Sequence, residues 1–359
     1  GTRNPTVSGT TGSEKLQMLH QLREKEKGGM NVKSQYGIHT FSIMAKSSYH
    51  EIQELWEENC CQVMNRDPYF LNTTLQITEY KERGVEIVLN QSLTHPSWIT
   101  VIVNPSSLLA GKYCPTALFI GEKTQINAVS KVLQKTLAKI GIEQKKFILS
   151  RVDLTCNQYY ESKRELLNQL YIWKKTRLPS RYEVSPFGKG KGSAKQYREV
   201  NEHAWTIESK SCAFSVYDKT YELKKRHKMQ IAEQILRLEL RLKRKRIHRL
   251  TDAKTWEKQL QVLAKRHNEL FCKFLHRLYQ DFPEAVTMQQ AEQWIEASGF
   301  QKKAKNTMRK LIKTTRRCKS LTAAQKKLEL SNQAMARLYK KFQKLKLNPI
   351  VLPENGKHH

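Results

Sequence analysis

Apolar and polar residues alternate along several short segments between residues 38 and 243, and this period of two predicts β-strands. Leucines at positions 236, 238, 240 and 242 alternate with Arg237, Glu239, Arg241 and Lys243. A half-buried strand is favoured there over a helix, although several of these residue types prefer helices. The same alternation runs through residues 147–155 and 213–217.

Further strands and two helices are predicted around these segments. Apolar residues before and after Glu82-Arg83-Gly84 predict a hairpin, which a third strand follows at Ile99–Val103 until Asn104-Pro105 ends it. Helical spacing from Ile126 to Ile140 predicts a helix with Thr124 as its cap and Gly141 at its end. A second helix is predicted around residues 166–173.

After Leu250 the apolar spacing becomes helical and the chain becomes more basic. One long helix is predicted from Trp256 to Leu278, because Pro283 then interrupts the pattern. Segments 291–297 and 302–317, with Gly299 between them, fit either a helix-turn-helix that binds DNA or two helices that only pack together. A last helix is predicted over 323–344.

The predicted fold class is α+β. A flexible arm at 1–37 precedes an antiparallel-sheet domain with flanking helices at 38–250. A basic all-helical domain follows at 251–347, and a disordered tail at 348–359 ends the chain.

Charge narrows the choice of partner. The 359 residues carry 64 Lys and Arg against 33 Asp and Glu, a formal net charge of +31, so a polyanion such as nucleic acid is the expected partner. No apolar run approaches the length of a membrane-spanning helix, and no apolar stretch of signal-peptide type opens the chain. We expect a soluble, cytoplasmic protein without a membrane partner. Seven cysteines without a CxxC pair favour reduced thiols over a zinc ribbon.

Side chains that could act on a phosphate share one face of the predicted strands. The alternation places Asp153, Tyr217 and Glu239 on one sheet face, accompanied by Arg151, Arg237 and Arg241. Tyr217 has a cation two residues later, at Lys219, which suits attack on a phosphodiester. The alternative is three amphipathic strands whose charged side chains are simply solvated.

The order of these segments resembles the gene II/X-type replication initiators of filamentous phages and their plasmid relatives. That family has an Arg-x-Asp strand, a Tyr-x-Lys segment and an Arg-x-Glu strand, in that order. The corresponding residues here are Arg151-Val152-Asp153, Tyr217-Asp218-Lys219 and Arg237-Leu238-Glu239. The resemblance covers about residues 70–250. It implies rolling-circle initiation, in which one DNA strand is nicked at an origin and its 5′ end stays attached to the protein.

The resemblance also implies roles for individual residues. Tyr217 would be the nucleophile, Lys219 would stabilise the developing charge, and Asp153 and Glu239 would hold a divalent metal. The chain lacks the His-x-His pair of many rolling-circle initiators, so hard oxygen ligands would favour Mg²⁺ or Mn²⁺ over zinc. Tyr221, four residues after Tyr217, is either a second nucleophile on the same side or a packing aromatic.

Basic residues near these strands are expected to grip DNA, either as a melted single strand or as the origin duplex. The loop 185–195 is either such a DNA-binding loop or a plain hairpin connection, and it is not a P-loop, so a host helicase and polymerase are expected partners. Nearby His203 and Glu208 would be a base, a third ligand or surface groups. The expected DNA-binding residues are Arg151, Lys189, Lys191, Lys195, Arg237, Arg241, Lys243, Arg244, Lys245 and Arg246.

Two function classes remain open from the sequence. One is a metal-dependent tyrosine endonuclease and strand-transferase, a class that also includes conjugative relaxases and single-strand transposases. The other is a non-catalytic DNA- or RNA-binding protein, such as a repressor, whose carboxylates only pair with arginines.

Overall fold

A computed structural model describes residues 33–67, 71–142, 145–185, 199, 201–278, 283 and 285–353. Its centre is one antiparallel sheet of ten strands in the order β2-β3-β4-β5-β1-β6-β10-β9-β8-β7. The strands are β1 Ser34–Ser47, β2 Cys61–Asp67, β3 Asn72–Ile77, β4 Val85–Ser92, β5 Ser97–Val103, β6 Ile148–Tyr160, β7 Glu183–Val184, β8 Ala204–Glu208, β9 Cys212–Asp218 and β10 Gln234–Lys243. The predicted α+β class and antiparallel sheet are confirmed.

Twelve α-helices lie entirely within the described ranges. They are α1 Tyr49–Glu58, α2 Pro105–Ala110, α3 Lys123–Ala138, α4 Lys163–Lys175, α5 Lys219–His227, α6 Arg244–Ile247, α7 Trp256–Lys265, α8 His267–Leu278, α9 Met288–Ala297, α10 Lys302–Arg317, α11 Leu321–Lys327 and α12 Asn332–Lys344. Within these ranges, no helix combines the length and the apolar character that a bilayer crossing needs.

Alternation along the central strands gives the sheet two different faces. Leu154, Val216 and Leu238 lie on what we call the apolar face, and each is buried. Helices α4, α7 and α8 cover this face: Trp173 and Phe274 contact Phe214, and Trp256 stacks on Phe41. The opposite face, which we call the polar face, carries Asp153, Tyr217 and Glu239. The predicted period of two over 236–242 is thus confirmed, because leucines are buried under helices while the intervening residues form the polar face.

The predicted domain boundary at residue 250 does not coincide with the division between hydrophobic cores. Buried Leu260, Leu263 and Phe271 of α7 and α8 belong to the core of the sheet. A second core begins with Met288 of α9 and extends to Val351, and it also includes two residues of α4. The sheet therefore needs α7 and α8 to cover it, and the separate helical unit starts near residue 285.

Other departures have local causes. The predicted helix from Trp256 to Leu278 is two helices, with Arg266 between them. The helix predicted over 323–344 is likewise divided at Glu329, whose φ is +52°. Glu122, and not Thr124, caps α3. The predicted hairpin and third strand correspond to β3, β4 and β5, whereas the full extent of β1 and the elements β2 and α1 were not predicted. The predicted flexible arm at 1–37 and disordered tail at 348–359 are wrong where the structure describes them, because residues 34–37 belong to β1 and Ile350 and Val351 are buried in the second core. Residues 1–32 and those after 353 lie outside the described residues.

Candidate functional site

Register in the middle of the sheet brings the predicted residues together. Strand β10 lies between β6 and β9, so that Arg241 is opposite Asp153 and Arg237 is opposite Tyr217. Glu239 lies between these two arginines along β10, opposite Thr155 of β6 and Ser215 of β9. Side chains of alternate residues point to the same face, which places all of these groups in one cluster on the polar face. The prediction that three strands contribute to one face is confirmed.

Tyr217 is hydrogen-bonded to Glu239. Its hydroxyl donates to Oε1 of the carboxylate over 2.9 Å, and the side chain is only partly exposed. Burial raises the pKa of the Tyr217 phenol well above its usual value of 10, and the negative charge of Glu239 raises it further. Tyr217 is consequently neutral at pH 7, with its proton already directed at a carboxylate.

Glu239 is held as an anion inside this cluster. His39 Nδ1 lies 3.3 Å from Oε1 and Arg237 Nη1 lies 4.0 Å from the same oxygen. Burial opposes ionisation of Glu239, but the hydrogen bond from His39 and the positive charges around it hold its pKa below the usual range. Burial and the charge of Arg237 lower the pKa of His39, which therefore donates as a neutral imidazole.

His39 is a site residue that the sequence did not reveal. It lies in β1 between Ile38 and Phe41, where the pairing with β6 shifts register. A bulge of this kind interrupts the period of two that predicts which face a side chain occupies. The ten-residue run of β10 carries that signal clearly, but a single histidine at a bulge does not.

Asp153 is enclosed by cations. The side chain is 1% exposed and accepts hydrogen bonds from Arg151 Nε over 2.9 Å, from Arg241 Nε over 3.1 Å and from Thr40 Oγ1 over 2.7 Å. Arg151 also donates through Nη2. Burial alone would raise the pKa of Asp153, but the charges of Arg151 and Arg241 and the hydrogen bonds to Arg151 hold it below its usual value. The two guanidinium groups remain partly exposed, at 28% and 37%.

The predicted metal pair does not fit this arrangement. Both oxygens of Asp153 are occupied by guanidinium and hydroxyl donors, which leaves no free lone pair directed at a cation. Within the described ranges, no group of three or more His, Cys, Asp or Glu side chains is placed to hold a metal ion. A hard divalent cation usually has six or more oxygen ligands, including waters. Asp153 is better described as the partner of two arginines than as a metal ligand.

Lys219 lies near this cluster, but its charge is engaged elsewhere. It begins α5 and is 2% exposed, with Nζ 2.5 Å from Oε2 of Glu222. Burial and the positive charge of Arg237 lower the pKa of Lys219. The ion pair with Glu222 limits the predicted role of Lys219 in stabilising a phenolate.

The expectation that Tyr221 shares a side with Tyr217 is wrong. The chain changes from strand to helix between them, because Asp218 caps α5 through the Tyr221 amide over 2.9 Å. Tyr221 stacks on His203 at 3.6 Å between ring centroids and donates its hydroxyl to Glu199 over 2.6 Å. Asp218 in turn pairs with His203 and with Lys163 of α4, the helix on the apolar face. Tyr221 is therefore a packing aromatic in this structure.

The residues predicted to contact DNA fall into three groups. Arg237 is fully buried and donates to Asn157 Oδ1 over 2.8 Å and to the Pro115 carbonyl over 2.7 Å, so its prediction as a DNA contact is wrong. Lys243 pairs with Glu208, while Arg244 and Lys245 of α6 are exposed and Arg246 is partly exposed. Arg151 and Arg241 are likewise partly exposed, beside Asp153, whereas Lys189, Lys191 and Lys195 lie outside the described residues.

Arg237 also has a buried nitrogen that makes no hydrogen bond among the described residues. Its Nη1 is buried without a hydrogen-bond partner within the described structure. Buried guanidinium donors are normally satisfied, and this one lies beside the Tyr217–Glu239 pair. Arg237 thus supplies a fixed positive charge next to the carboxylate.

Comparison with known proteins gives little help. No protein-family model matches the chain, and no curated protein matches it. One solved structure with some similarity is that of a rolling circle replication initiator protein from Geobacillus stearothermophilus. It is 11% identical, with a TM-score of 0.34, and the match covers 68% of this chain and 86% of that chain. A TM-score this low does not establish a common fold.

Proposed function

We propose that this protein nicks and rejoins one DNA strand at a replication origin, with Tyr217 as the nucleophile. The observation that carries the proposal is the hydrogen bond from the Tyr217 hydroxyl to the buried carboxylate of Glu239. A tyrosine with a base in contact is the arrangement that nucleophilic catalysis by an otherwise weak phenol needs. The ordered sequence motifs, which resemble those of gene II/X-type initiators, support the same chemistry.

The reaction follows from these two side chains. The phenolic oxygen of Tyr217 bonds to phosphorus as its proton passes to Glu239, and the bond from phosphorus to the 3′ oxygen breaks. The products are a 5′-phosphotyrosine and a strand that ends, once water has supplied a proton, in a 3′ hydroxyl. Attack by a 3′ hydroxyl on the phosphotyrosine reverses the process, so that the same site rejoins the strand.

Arg151 and Arg241 are proposed to bind the phosphate. Both lie on the polar face with partly exposed guanidinium groups, and Asp153 fixes their orientation. An arginine held rigidly can present its remaining N–H groups to phosphate oxygens and stabilise charge that develops in the transition state. Exposed Arg244 and Lys245 follow directly after β10, where they would contact the neighbouring backbone.

The role of a metal ion stays a proposal drawn from the resemblance. Mg²⁺ or Mn²⁺ would add charge stabilisation at the phosphate, and Glu239 is the one predicted ligand whose environment leaves this open. The roles of a host helicase and polymerase are likewise proposals, since extension from the 3′ hydroxyl needs both activities.

A non-catalytic nucleic-acid-binding protein is the second candidate. The observation that favours it is that Asp153 and Glu239 both have cationic partners while burial keeps Tyr217 protonated. In that case the cluster on the polar face would only stabilise the sheet.

Detection of a covalent adduct separates the two candidates. A pool of randomised single-stranded oligonucleotides, labelled at the 3′ end because tyrosine retains the downstream 5′ phosphate, is incubated with the protein and Mg²⁺. We expect a labelled protein band from the wild-type chain and from Tyr221→Phe, but none from Tyr217→Phe. An adduct with Tyr217→Phe would exclude Tyr217 as the nucleophile, and the absence of any adduct with wild-type protein would favour the non-catalytic candidate.

A further inference from the structure

The second unit contains a helix pair whose second helix is strongly basic. Helix α9 ends at Ala297, a turn of four residues follows, and α10 begins at Lys302. Helix α10 has 16 residues, eight of which are Lys or Arg, and it has no Asp or Glu. Its buried residues Met308, Leu311 and Ile312 fix it in the second hydrophobic core.

One flank of α10 is neutralised by α9. Glu296 pairs with Lys305 and Arg309, and Glu292 lies 3.3 Å from Lys313. The hydrogen bond and charge of Arg309 and the charge of Lys305 lower the pKa of Glu296. This flank is an ordinary contact between two helices, stabilised by complementary charge.

The outer face of α10 has no such partners. Lys302, Lys303, Lys310 and Arg317 are exposed, and no carboxylate in the described ranges pairs with them. Lys303, Asn306, Lys310 and Arg317 follow one another at intervals of three, four and seven residues, which places them along one side of a helix. At 1.5 Å per residue, α10 forms a cationic ridge roughly 24 Å long.

We propose that this outer face of α10 lies in the major groove of duplex DNA. Lys303, Lys310 and Arg317 contact phosphates, and the exposed amide of Asn306 between them contacts a base edge. This assignment deepens the proposed function and rests on it, since an origin nickase needs a surface that holds the duplex beside the nicked strand. An asparagine side chain can bond adenine through two hydrogen bonds in that groove.

The composition of the face favours duplex DNA over other polyanions. None of its exposed residues is a large apolar side chain, although a membrane-surface helix or a typical protein interface would need some. The major groove of B-form DNA is wide enough for a helix, whereas that of double-stranded RNA is deep and narrow. The two-helix arrangement with a short turn is also the one that places a second helix in this groove.

The salt dependence of binding tests the phosphate contacts. The full chain carries Tyr217→Phe so that no DNA is cleaved, and the probe is a labelled duplex of about 24 base pairs with randomised sequence. The triple variant Lys303→Ala, Lys310→Ala, Arg317→Ala is expected to reduce the slope of log affinity against log salt by about 2.7, at roughly 0.9 per lost contact. By the same relation, the ratio of the parent's affinity to the variant's affinity is expected to fall by about 40-fold as the salt concentration rises from 50 to 200 mM.

The matched control removes three charges elsewhere. Lys131, Lys135 and Lys139 are exposed on and just after α3, and their replacement by alanine is expected to leave the slope unchanged. Equal slopes for the parent and the α10 variant would overturn the proposal. Tighter binding of an RNA duplex of the same length would overturn it as well.

Selection from the randomised duplex pool tests the base contact. The parent protein is expected to enrich a motif, and Asn306→Ala is expected to lose discrimination at an adenine in it by roughly 5- to 150-fold. An unchanged motif would overturn base recognition by Asn306. Failure of the nicking proposal remains separate, because it depends on the Tyr217 adduct with single strands. A chain that keeps Tyr217 and carries only the three α10 substitutions is expected to form that adduct normally.

Discussion

Replacement of Glu239 by glutamine tests whether this carboxylate is the base for Tyr217. Glutamine keeps the size of the side chain and can still accept a hydrogen bond from the Tyr217 hydroxyl, which lies 2.9 Å from Oε1 in the structure. It cannot accept the proton. Any loss of activity therefore reports proton transfer more directly than it reports packing.

The size of the effect follows from the ionisation of the phenol. At pH 7 a tyrosine of ordinary pKa is ionised in about one molecule in a thousand, which corresponds to about 4 kcal/mol. Burial raises the pKa of Tyr217 above that value, so the fraction of phenolate is smaller still. Without the base we expect nicking at pH 7 to fall about 10³-fold, within the 10²- to 10⁴-fold range of general base catalysis.

The pH dependence gives a second, independent readout. Because the pKa of Glu239 lies below its usual range, the carboxylate is ionised throughout pH 6 to 9, and wild-type nicking is expected to change little there. Glu239→Gln must use phenolate, so its rate should rise about tenfold per pH unit. Single-turnover adduct formation from a preselected oligonucleotide measures both. A variant within threefold of wild type at pH 7, or one with the same flat pH profile, would refute the reasoning.

The remaining predictions concern the cations, the metal and the domain boundary. Asp153→Asn should lower the free energy of unfolding at pH 7 by about 3 kcal/mol or more. Since the folded-state pKa of Asp153 is depressed, its contribution is complete above its unfolded pKa and is lost as pH falls through the folded value. The free energies of unfolding of wild type and variant, measured by urea titration, should therefore converge as the pH falls below the range in which an ordinary aspartate titrates. If Asp153 only orients arginines, the same variant will leave the Mg²⁺ concentration for half-maximal nicking unchanged, whereas a ligand role predicts a rise of about tenfold or more. A chain that ends after Arg249 loses Leu260, Leu263 and Phe271 from the sheet core, and burial of each side chain stabilises the fold by about 1.5–3 kcal/mol. This chain should show no cooperative unfolding, whereas a chain that ends after Pro283 should unfold cooperatively.

Sequence patterns were sufficient for the parts of the site that depend on strand alternation. Ten residues of β10 alternate without interruption, and the face of each side chain follows directly from that. Asp153, Tyr217 and Glu239 could therefore be placed together before their contacts were known. Their partners could not, because Thr40 and His39 come from β1, more than 110 residues away from Asp153 in the chain.

Errors arose where the type of element changes or where burial overrides charge. Tyr221 has the spacing of a same-side neighbour, but the cap at Asp218 starts a helix and turns it toward His203. Arg237 alternates with leucines in the sequence as Arg241 does, but Arg241 is partly exposed whereas Arg237 is fully buried and donates to the carbonyl of Pro115. The division of the helices after residue 250 between the two hydrophobic cores could not be predicted either, because amphipathic helices that cover a sheet and helices of a separate bundle have the same periodicity.

The position of β1 in the middle of the sheet has a consequence for biosynthesis. Of the ten described strands, β1 is translated first. Its neighbour β6 is complete only at Tyr160, and β10, which completes the site, only at Lys243. Pairing over such sequence distances is slow, because the intervening chain must be ordered before the contact forms. At 5–20 residues per second, a ribosome needs roughly 10 to 40 seconds to pass from β1 to β10, and it must also complete α8 before the apolar face is covered. During that interval a nascent chain exposes the strand edges on which the nicking site will later be assembled, and this is the stage at which we expect chaperones to be needed most.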